Sequence, residues 1–219
     1  MNRLKQLGII ILMLIIGGCE MNQEPDKKDP TAAANNLPDT PAFKDKFTRE
    51  FMDAPEEVQD GYYLFKSKTD GYAMLFPSGG QIAEKSFEKH DEHEELITFG
   101  SKDEDKNISY SFQVIYENGP ETENINANLD LLSSFANYTG EYETFENENA
   151  IFYYAKDNFV TDKREYHNYF SYIKSKKSAK AVRFSSSSFC TDEKKSCGAN
   201  SMEVEEQLLM LMKSVDFLE

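Results

Sequence analysis

The sequence is poor in basic residues. It has 24 lysines and arginines against 39 aspartates and glutamates, which gives a formal net charge of -15 at pH 7. Proteins that bind nucleic acid use Lys and Arg to displace the counterions of the phosphate backbone, so this chain is not expected to bind nucleic acid. The same excess of negative charge repels anionic lipid head groups.

Motifs for catalysis and for membrane spanning are also missing. The apolar run from Leu7 to Ile16 is shorter than the roughly 20 residues that a transmembrane helix requires. The chain has no G-x-S-x-G elbow, no Walker loop, no dinucleotide-binding glycine motif and no H-E-x-x-H zinc motif. His167 has no identifiable partner that would make it a general base. We therefore expect no catalytic residue, no cofactor and no enzymatic activity.

The start of the chain carries an export signal. Arg3 and Lys5 precede the apolar run, which ends in Gly17-Gly18-Cys19. A basic start, an apolar stretch of about 7–15 residues and small residues before a cleavage point are typical of secretory signals. The segment resembles the lipobox of bacterial lipoproteins, in which the cysteine is diacylglycerylated and the chain is cut before it. The resemblance implies that Cys19 is the lipidation site and the first mature residue.

Three segments follow from this interpretation. Residues 1–18 are predicted to be the signal peptide, and their removal takes away two basic residues, so the net charge falls from -15 to -17. Residues 19–41 have hardly any large apolar side chain, which predicts an acylated, flexible tether. Residues 42–219 contain no second linker and are predicted to form one domain. Acyl chains at Cys19 would then hold the protein on the extracytoplasmic face of the cell membrane.

Two further cysteines, Cys190 and Cys197, lie close together in the sequence. Export to an oxidising compartment permits a disulfide between them. They do not form a C-x-x-C motif, and no histidine lies near them in the sequence. We expect a structural disulfide between them, with a redox or metal pair as the alternative.

Hydrophobic periodicity predicts an α+β domain. Apolar residues at helical spacing predict three helices, the first of them with Phe43, Phe47 and Phe51 on one stripe. Alternating residues or aromatic runs predict strands, most clearly from Ile108 to Tyr116. The helices fall near residues 41–54, 123–138 and 202–213, and the strands near 62–67, 71–76, 108–116, 142–146, 150–156, 164–174 and 179–189. Residues 82–99 are predicted to form two strands around a charged turn. Their short connections favour an antiparallel sheet with the helices packed on one face.

Two segments resemble the PsbP-like fold. They are the strand Gly71-Tyr72-Ala73-Met74-Leu75-Phe76-Pro77 and the closing helix Glu206-Gln207-Leu208-Leu209-Met210-Leu211-Met212-Lys213-Ser214-Val215. The resemblance covers about residues 60–219, and this fold also occurs in uncharacterised bacterial lipoproteins. It implies a meander-like antiparallel sheet and a role in binding or assembly. It assigns no site residue to this chain.

One acidic cluster offers an alternative function. The run from His90 to Glu95 holds two of the three histidines and four carboxylates, and such groups can bind Zn²⁺ or another divalent ion. A charged turn between strands is the other interpretation. A metal-binding or accessory enzyme is therefore the second hypothesis, and it requires that His90, His93 and distant carboxylates converge in space.

Binding without catalysis is the first hypothesis. Between Tyr153 and Tyr172 aromatic residues occur in both alternation phases of the strands, so one phase could face a partner while the other fills the core. Alternatively, the helix that carries Phe43 could cover the residues of the second phase. The expected partner is an envelope protein or a surface polymer, in addition to the membrane.

The lipidation site can be tested by substitution. Cys19→Ala should abolish incorporation of labelled palmitate and stop maturation, because the cysteine sulfur is the atom that would carry the diacylglyceryl group. Metabolic labelling followed by membrane fractionation measures both effects. A variant that is labelled, processed and fractionated like the wild type would show that Cys19 is not the anchor.

Overall fold

The first two strands form a hairpin, as predicted. In a computed structural model that describes residues 37–161, 164–198 and 201–219, β1 (Tyr62–Lys66) pairs antiparallel with β2 (Tyr72–Pro77). Gly71 lies against the ring of Tyr116, where a Cβ atom would come within 2.1 Å of the Tyr116 Cζ atom. Glycine is therefore required at the end of this turn. The predicted signal peptide, Cys19 and the tether up to residue 36 lie outside the described residues.

A large sheet contains most of the other strands, and all of its pairings are antiparallel. Its members are β3 (Gln81–Ile82), β4 (Glu88–His90), β5 (Glu94–Asp103), β6 (Ile108–Asn118), β7 (Glu143–Glu146), β8 (Ala150–Thr161), β9 (Arg164–Ser175) and β10 (Lys180–Cys190). The strand order is β3-β5-β6-β10-β9-β8-β7, and β4 also pairs with β5. The last strand, β11 (Asp216–Phe217), pairs with β2 and completes a separate three-stranded sheet.

The leading aromatic segment forms two short helices where one was predicted. They are α1 (Pro41–Lys44) and α2 (Lys46–Arg49). Asp45 between them is extended, and its carboxylate accepts a 2.8 Å hydrogen bond from the Thr48 N–H, so it ends the first helix and caps the second. The aromatic stripe docks on the first hairpin, since Phe43 contacts Tyr63 and Phe51 stacks on Phe65.

The two longer helices cover opposite faces of the large sheet, which corrects the prediction that all helices share one face. The helix α3 (Ile125–Ala136) packs on Phe170 and Tyr172 of β9. The helix α4 (Ser201–Lys213) packs in the principal core with Tyr169 and Ile173. Successive residues of a strand point to opposite faces, and β9 is apolar in both phases, so both faces need cover.

The α+β class is confirmed, with two antiparallel sheets and helices on both sides of the larger one. The finer PsbP-like assignment stays a prediction. Within residues 37–161, 164–198 and 201–219, no helix is both long enough and apolar enough to cross a bilayer.

A carboxylic acid is buried in the principal core. Glu95 is 0% exposed and points from β5 towards the turn of the first hairpin. Its carboxylate accepts hydrogen bonds from the Lys68 N–H at 2.6 Å and from the Tyr72 hydroxyl at 3.4 Å. Burial raises the pKa of Glu95 to about 7, although these hydrogen bonds act in the opposite direction.

This shift predicts a loss of stability as the pH rises. Because the folded pKa of about 7 lies above the ordinary value of 4.5, the folded state retains the proton between these pH values while the unfolded state releases it. The free energy of unfolding should therefore fall from pH 4.5 to pH 7, by up to about 3 kcal/mol. Glu95→Gln removes the ionisation, so the variant should gain stability relative to the wild type over that range.

Urea unfolding at several pH values measures this difference. Glu94→Gln, at the exposed neighbouring position, is the matched control and should show no such gain. A constant difference between Glu95→Gln and the wild type from pH 4.5 to pH 8 would contradict a raised pKa.

A disulfide joins Cys190 at the end of β10 to Cys197, with Cα atoms 5.4 Å apart. The loop that it closes lies on the β5–β6 turn. Asn107 in that turn has a φ of 55° and exchanges two hydrogen bonds with the backbone of Asp192, at 3.0 and 2.9 Å. The Gly198 N–H donates to the Lys106 carbonyl at 2.7 Å. The loop is thus attached to the turn at both of its ends.

Replacement of both cysteines tests the disulfide. Cys190→Ser combined with Cys197→Ser should lower the free energy of unfolding by about 2.5 kcal/mol, because a short closed loop restricts the unfolded chain by this amount. Denaturant titration gives the difference. Alkylation and mass spectrometry of protein isolated with thiols blocked provide the direct check, and two alkylated cysteines would show that the bond does not form.

Candidate functional site

The acidic cluster from His90 to Glu95 does not assemble into a site. His90 ends β4 and His93 lies in the following turn, and both are exposed. The His93 Nδ1 atom lies 3.2 Å from the Asn118 carbonyl oxygen. Glu95 points into the core whereas Glu94 is exposed, because adjacent residues of β5 face opposite ways. The alternation of the strand therefore separates the carboxylates of the cluster.

No metal site forms elsewhere in the described part of the chain. There, no group of three or more His, Cys, Asp or Glu side chains is placed to hold an ion. The hypothesis of a metal-binding or accessory enzyme required such convergence, and nothing in the described residues supports it.

The face of the large sheet that carries α3 is only partly covered. The helix packs on β9, and Leu132 belongs to one buried cluster with Ala155 of β8, Phe170 of β9 and Ala181 of β10. Beyond the end of the helix, the same face of β5, β6, β10 and β9 is open.

Two neighbouring rows of residues cross this open area. Residues that are paired on adjacent strands point to the same face of a sheet. The first row is Thr98, Gln113, Ser185 and Phe170, and the second row is Gly100, Ser111, Ser187 and Asn168. The six polar residues of these rows, Thr98, Ser111, Gln113, Asn168, Ser185 and Ser187, are called the polar face below.

The polar face carries no charge, although 29% of the residues in the chain are charged. Ser111 and Gln113 are exposed, and the other four members are partly buried. The Ser187 hydroxyl donates to the Asn168 side-chain oxygen. Within the described residues, the side chains of Thr98, Ser111, Gln113 and Ser185 make no hydrogen bond. They are therefore available to a ligand as both donors and acceptors.

Aromatic residues border the polar face on two sides. On one side Phe135, near the end of α3, is 73% exposed. On the other side the aromatic strip, defined as Phe159, Tyr166 and Phe189, continues the same face of β8, β9 and β10. The rings of Phe159 and Tyr166 stack with centroids 4.9 Å apart, and those of Tyr166 and Phe189 are 5.2 Å apart.

A groove of about 320 Å³ lies between the end of α3 and the polar face. Phe135 and Ala136 line one wall, and Gln113 and Ser185 are among the floor residues. Concave sites with a few placed polar groups and apolar walls are the usual form of ligand sites. The groove is therefore the candidate binding site.

The aromatic face predicted between Tyr153 and Tyr172 is open only in part: Phe159 and Tyr166 lie on the open side, whereas the residues from Tyr169 to Tyr172 are covered. Tyr169 and Ile173 belong to the core beneath α4, and Phe170 and Tyr172 lie beneath α3, so both phases of this stretch are buried. The cover of the second phase is α3, not the leading segment with Phe43. The open area begins only at Asn168, where α3 ends.

The polar face is not evident from the sequence alone. A signal for it was present in the serine run of β10, which pairs with the alternating polar residues of β6. Ser186 and Ser188 are buried, whereas Ser185 and Ser187 reach the polar face. The pairing of β6 with β10 is needed to see that the two sets share one surface.

Comparison with known proteins identifies the family. The family model described as "Putative lipoprotein YvcA" matches residues 38–216. The protein "Putative lipoprotein YvcA" of Bacillus subtilis (strain 168) is 30% identical over 234 residues, which cover 95% of this chain and 93% of that protein.

A crystal structure of a protein from Bacteroides thetaiotaomicron VPI-5482 is also similar, with 12% identity and a TM-score of 0.40. The match covers 74% of this chain and 50% of that one. The family match and the Bacillus relative both extend over nearly the whole described domain, and by these two findings the chain belongs to the YvcA lipoprotein family.

Proposed function

We propose that the protein is anchored to the extracytoplasmic face of the cell membrane by lipid at Cys19, and that its domain binds an envelope protein or a surface polymer. Membership of a lipoprotein family and the Gly17-Gly18-Cys19 sequence support the anchor. The binding role is supported by the polar face and the groove beside it.

The single observation that carries this proposal is the set of unbonded polar side chains on an open sheet. Thr98, Ser111, Gln113 and Ser185 come from three strands and are brought side by side by strand pairing. Their positions depend on a regular backbone, so little conformational freedom is lost when a ligand binds. A preformed surface of this kind suits recognition.

Binding suits these residues better than catalysis. A serine nucleophile needs a general base within hydrogen-bond reach. His167 is next to Asn168 in β9 and therefore points to the opposite side of the sheet. Its Nδ1 atom lies 3.0 Å from the Asn158 side-chain oxygen. The proposed domain thus holds its ligand without changing it.

Site-specific photocrosslinking in intact cells tests this function. We expect benzoylphenylalanine in place of Ser111 to crosslink to an envelope component, because Ser111 is exposed at the centre of the polar face. The same group in place of Val58, which is 56% exposed outside the face, should not give that product. Mass spectrometry and glycan staining of the crosslinked species identify the component.

Gln113→Glu provides a second arm of this experiment. A carboxylate at the middle of the neutral face would lose its hydration when a ligand binds, so crosslinking from position 111 should fall at least about tenfold. Equal products from positions 111 and 58, or no effect of Gln113→Glu, would contradict a binding role for the polar face.

A further inference from the structure

We propose that the ligand of the polar face is a neutral, hydroxyl-rich glycan chain that lies across the four strands β5, β6, β10 and β9. This inference rests on the proposed function and specifies the chemistry of its ligand.

The charges on and around the polar face favour a neutral ligand. None of the six side chains of the polar face is ionised, and Arg183, which lies under α3, is 8% exposed and paired with Glu117 at 2.8 Å. Its guanidinium also donates to the Asn128 side-chain oxygen at 3.3 Å. Two charged residues lie beside the polar face: Lys102 is exposed two residues beyond Gly100 in β5, and Asp157 of β8 is paired with Asn168. Their charges are opposite, and an anionic polymer would in addition approach a chain of net charge -15. A neutral ligand avoids this repulsion.

The hydrogen-bonding groups of the polar face match those of a polyol. A sugar hydroxyl both donates and accepts, and so do the hydroxyls of Thr98, Ser111 and Ser185 and the amide of Gln113. These four side chains are uncommitted within the described residues, so each can exchange hydrogen bonds with a ligand hydroxyl. A surface of hydroxyls and amides with no charge matches a polyol better than it matches a charged peptide.

The aromatic rings at the borders of the polar face are placed to pack on sugar rings. The C–H faces of sugar rings are apolar and pack on aromatic rings, whose burial in such contacts is favourable. Phe135 is 73% exposed at one border of the polar face, and Phe159 of the aromatic strip is 42% exposed at another. Four strands at a spacing of about 4.8 Å span roughly 14 Å, the length of about three sugar units.

The position of the polar face within the sheet disfavours an added peptide strand, and the charge of the chain disfavours a second copy of it. The strands β6, β10 and β9 are each paired on both sides, so a peptide cannot add as a further strand there. A second copy of this chain would place two strongly acidic domains face to face. A neutral glycan that is recognised by the side chains of the polar face is therefore the preferred ligand.

Titration of the full-length lipoprotein in lipid nanodiscs tests the ligand class. The probes are a panel of neutral oligosaccharides, which includes hexamers of glucose and of N-acetylglucosamine, and a hexamer of galacturonic acid as the charged counterpart of equal length. We expect a neutral oligosaccharide to bind, and the charged hexamer to bind at least about tenfold more weakly.

Three variants locate the binding. Gln113→Ala and Phe135→Ala should each weaken the neutral ligand at least about tenfold, because one removes a hydrogen-bonding amide and the other an aromatic wall. Gln59→Ala removes an exposed amide outside the face and should leave binding unchanged. Thermal unfolding should be the same for all three variants within a few degrees, since their side chains are exposed.

Each outcome decides between the two proposals. Tighter binding of the charged hexamer, or neutral binding that ignores Gln113→Ala and Phe135→Ala, would overturn the neutral-glycan assignment. Absence of binding to every neutral probe, with protein crosslinks retained at position 111, would overturn it and leave the proposed function standing. Loss of those crosslinks as well would overturn both.

Discussion

The pairing of β6 with β10 is the interaction on which the rest of the structure depends. It joins Ile108–Asn118 to Cys190–Lys180 in antiparallel register over the whole of both strands. These strands lie far apart in the sequence, and their pairing unites the β5–β6 hairpin with the β7–β10 meander. A slip of one residue would turn Phe112 and Phe184 to the open side of the sheet and bury serines in their place. The aromatic core thus fixes the register, and the register aligns the polar face.

The same sheet serves two purposes through its two faces. One face holds the principal core, where Glu95 is enclosed near the first hairpin and its pKa is raised by burial. The other face is divided between cover by α3 and the open polar face. Because α3 ends at Ala136, its length sets how much of the sheet remains available to a ligand. Stability and recognition therefore depend on the same strands but on alternate residues of them.

Local patterns in the sequence predicted much of the fold. Alternation identified β6, the turn-prone residues Lys68, Thr69 and Asp70 between two apolar runs identified the first hairpin, and helical spacing identified α3 and α4. Properties that depend on distant pairing could not be predicted. Contacts between residues distant in the sequence place helices on both faces of the large sheet and create the polar face. The leading helix is divided at Asp45, which its hydrophobic spacing does not indicate. The sequence does not show that the Glu95 side chain points into the core, because every neighbour in its cluster is also polar.

Covalent footprinting of the anchored protein in intact cells, compared with the purified protein, tests the central claim most directly. If the polar face is the binding surface, Phe135, Tyr166 and Phe189 will be protected in cells. Met202 and Val58, which are exposed outside this face, will react equally in both samples. Protection confined to Met202 or Val58, with the three aromatic residues unchanged, would contradict the account.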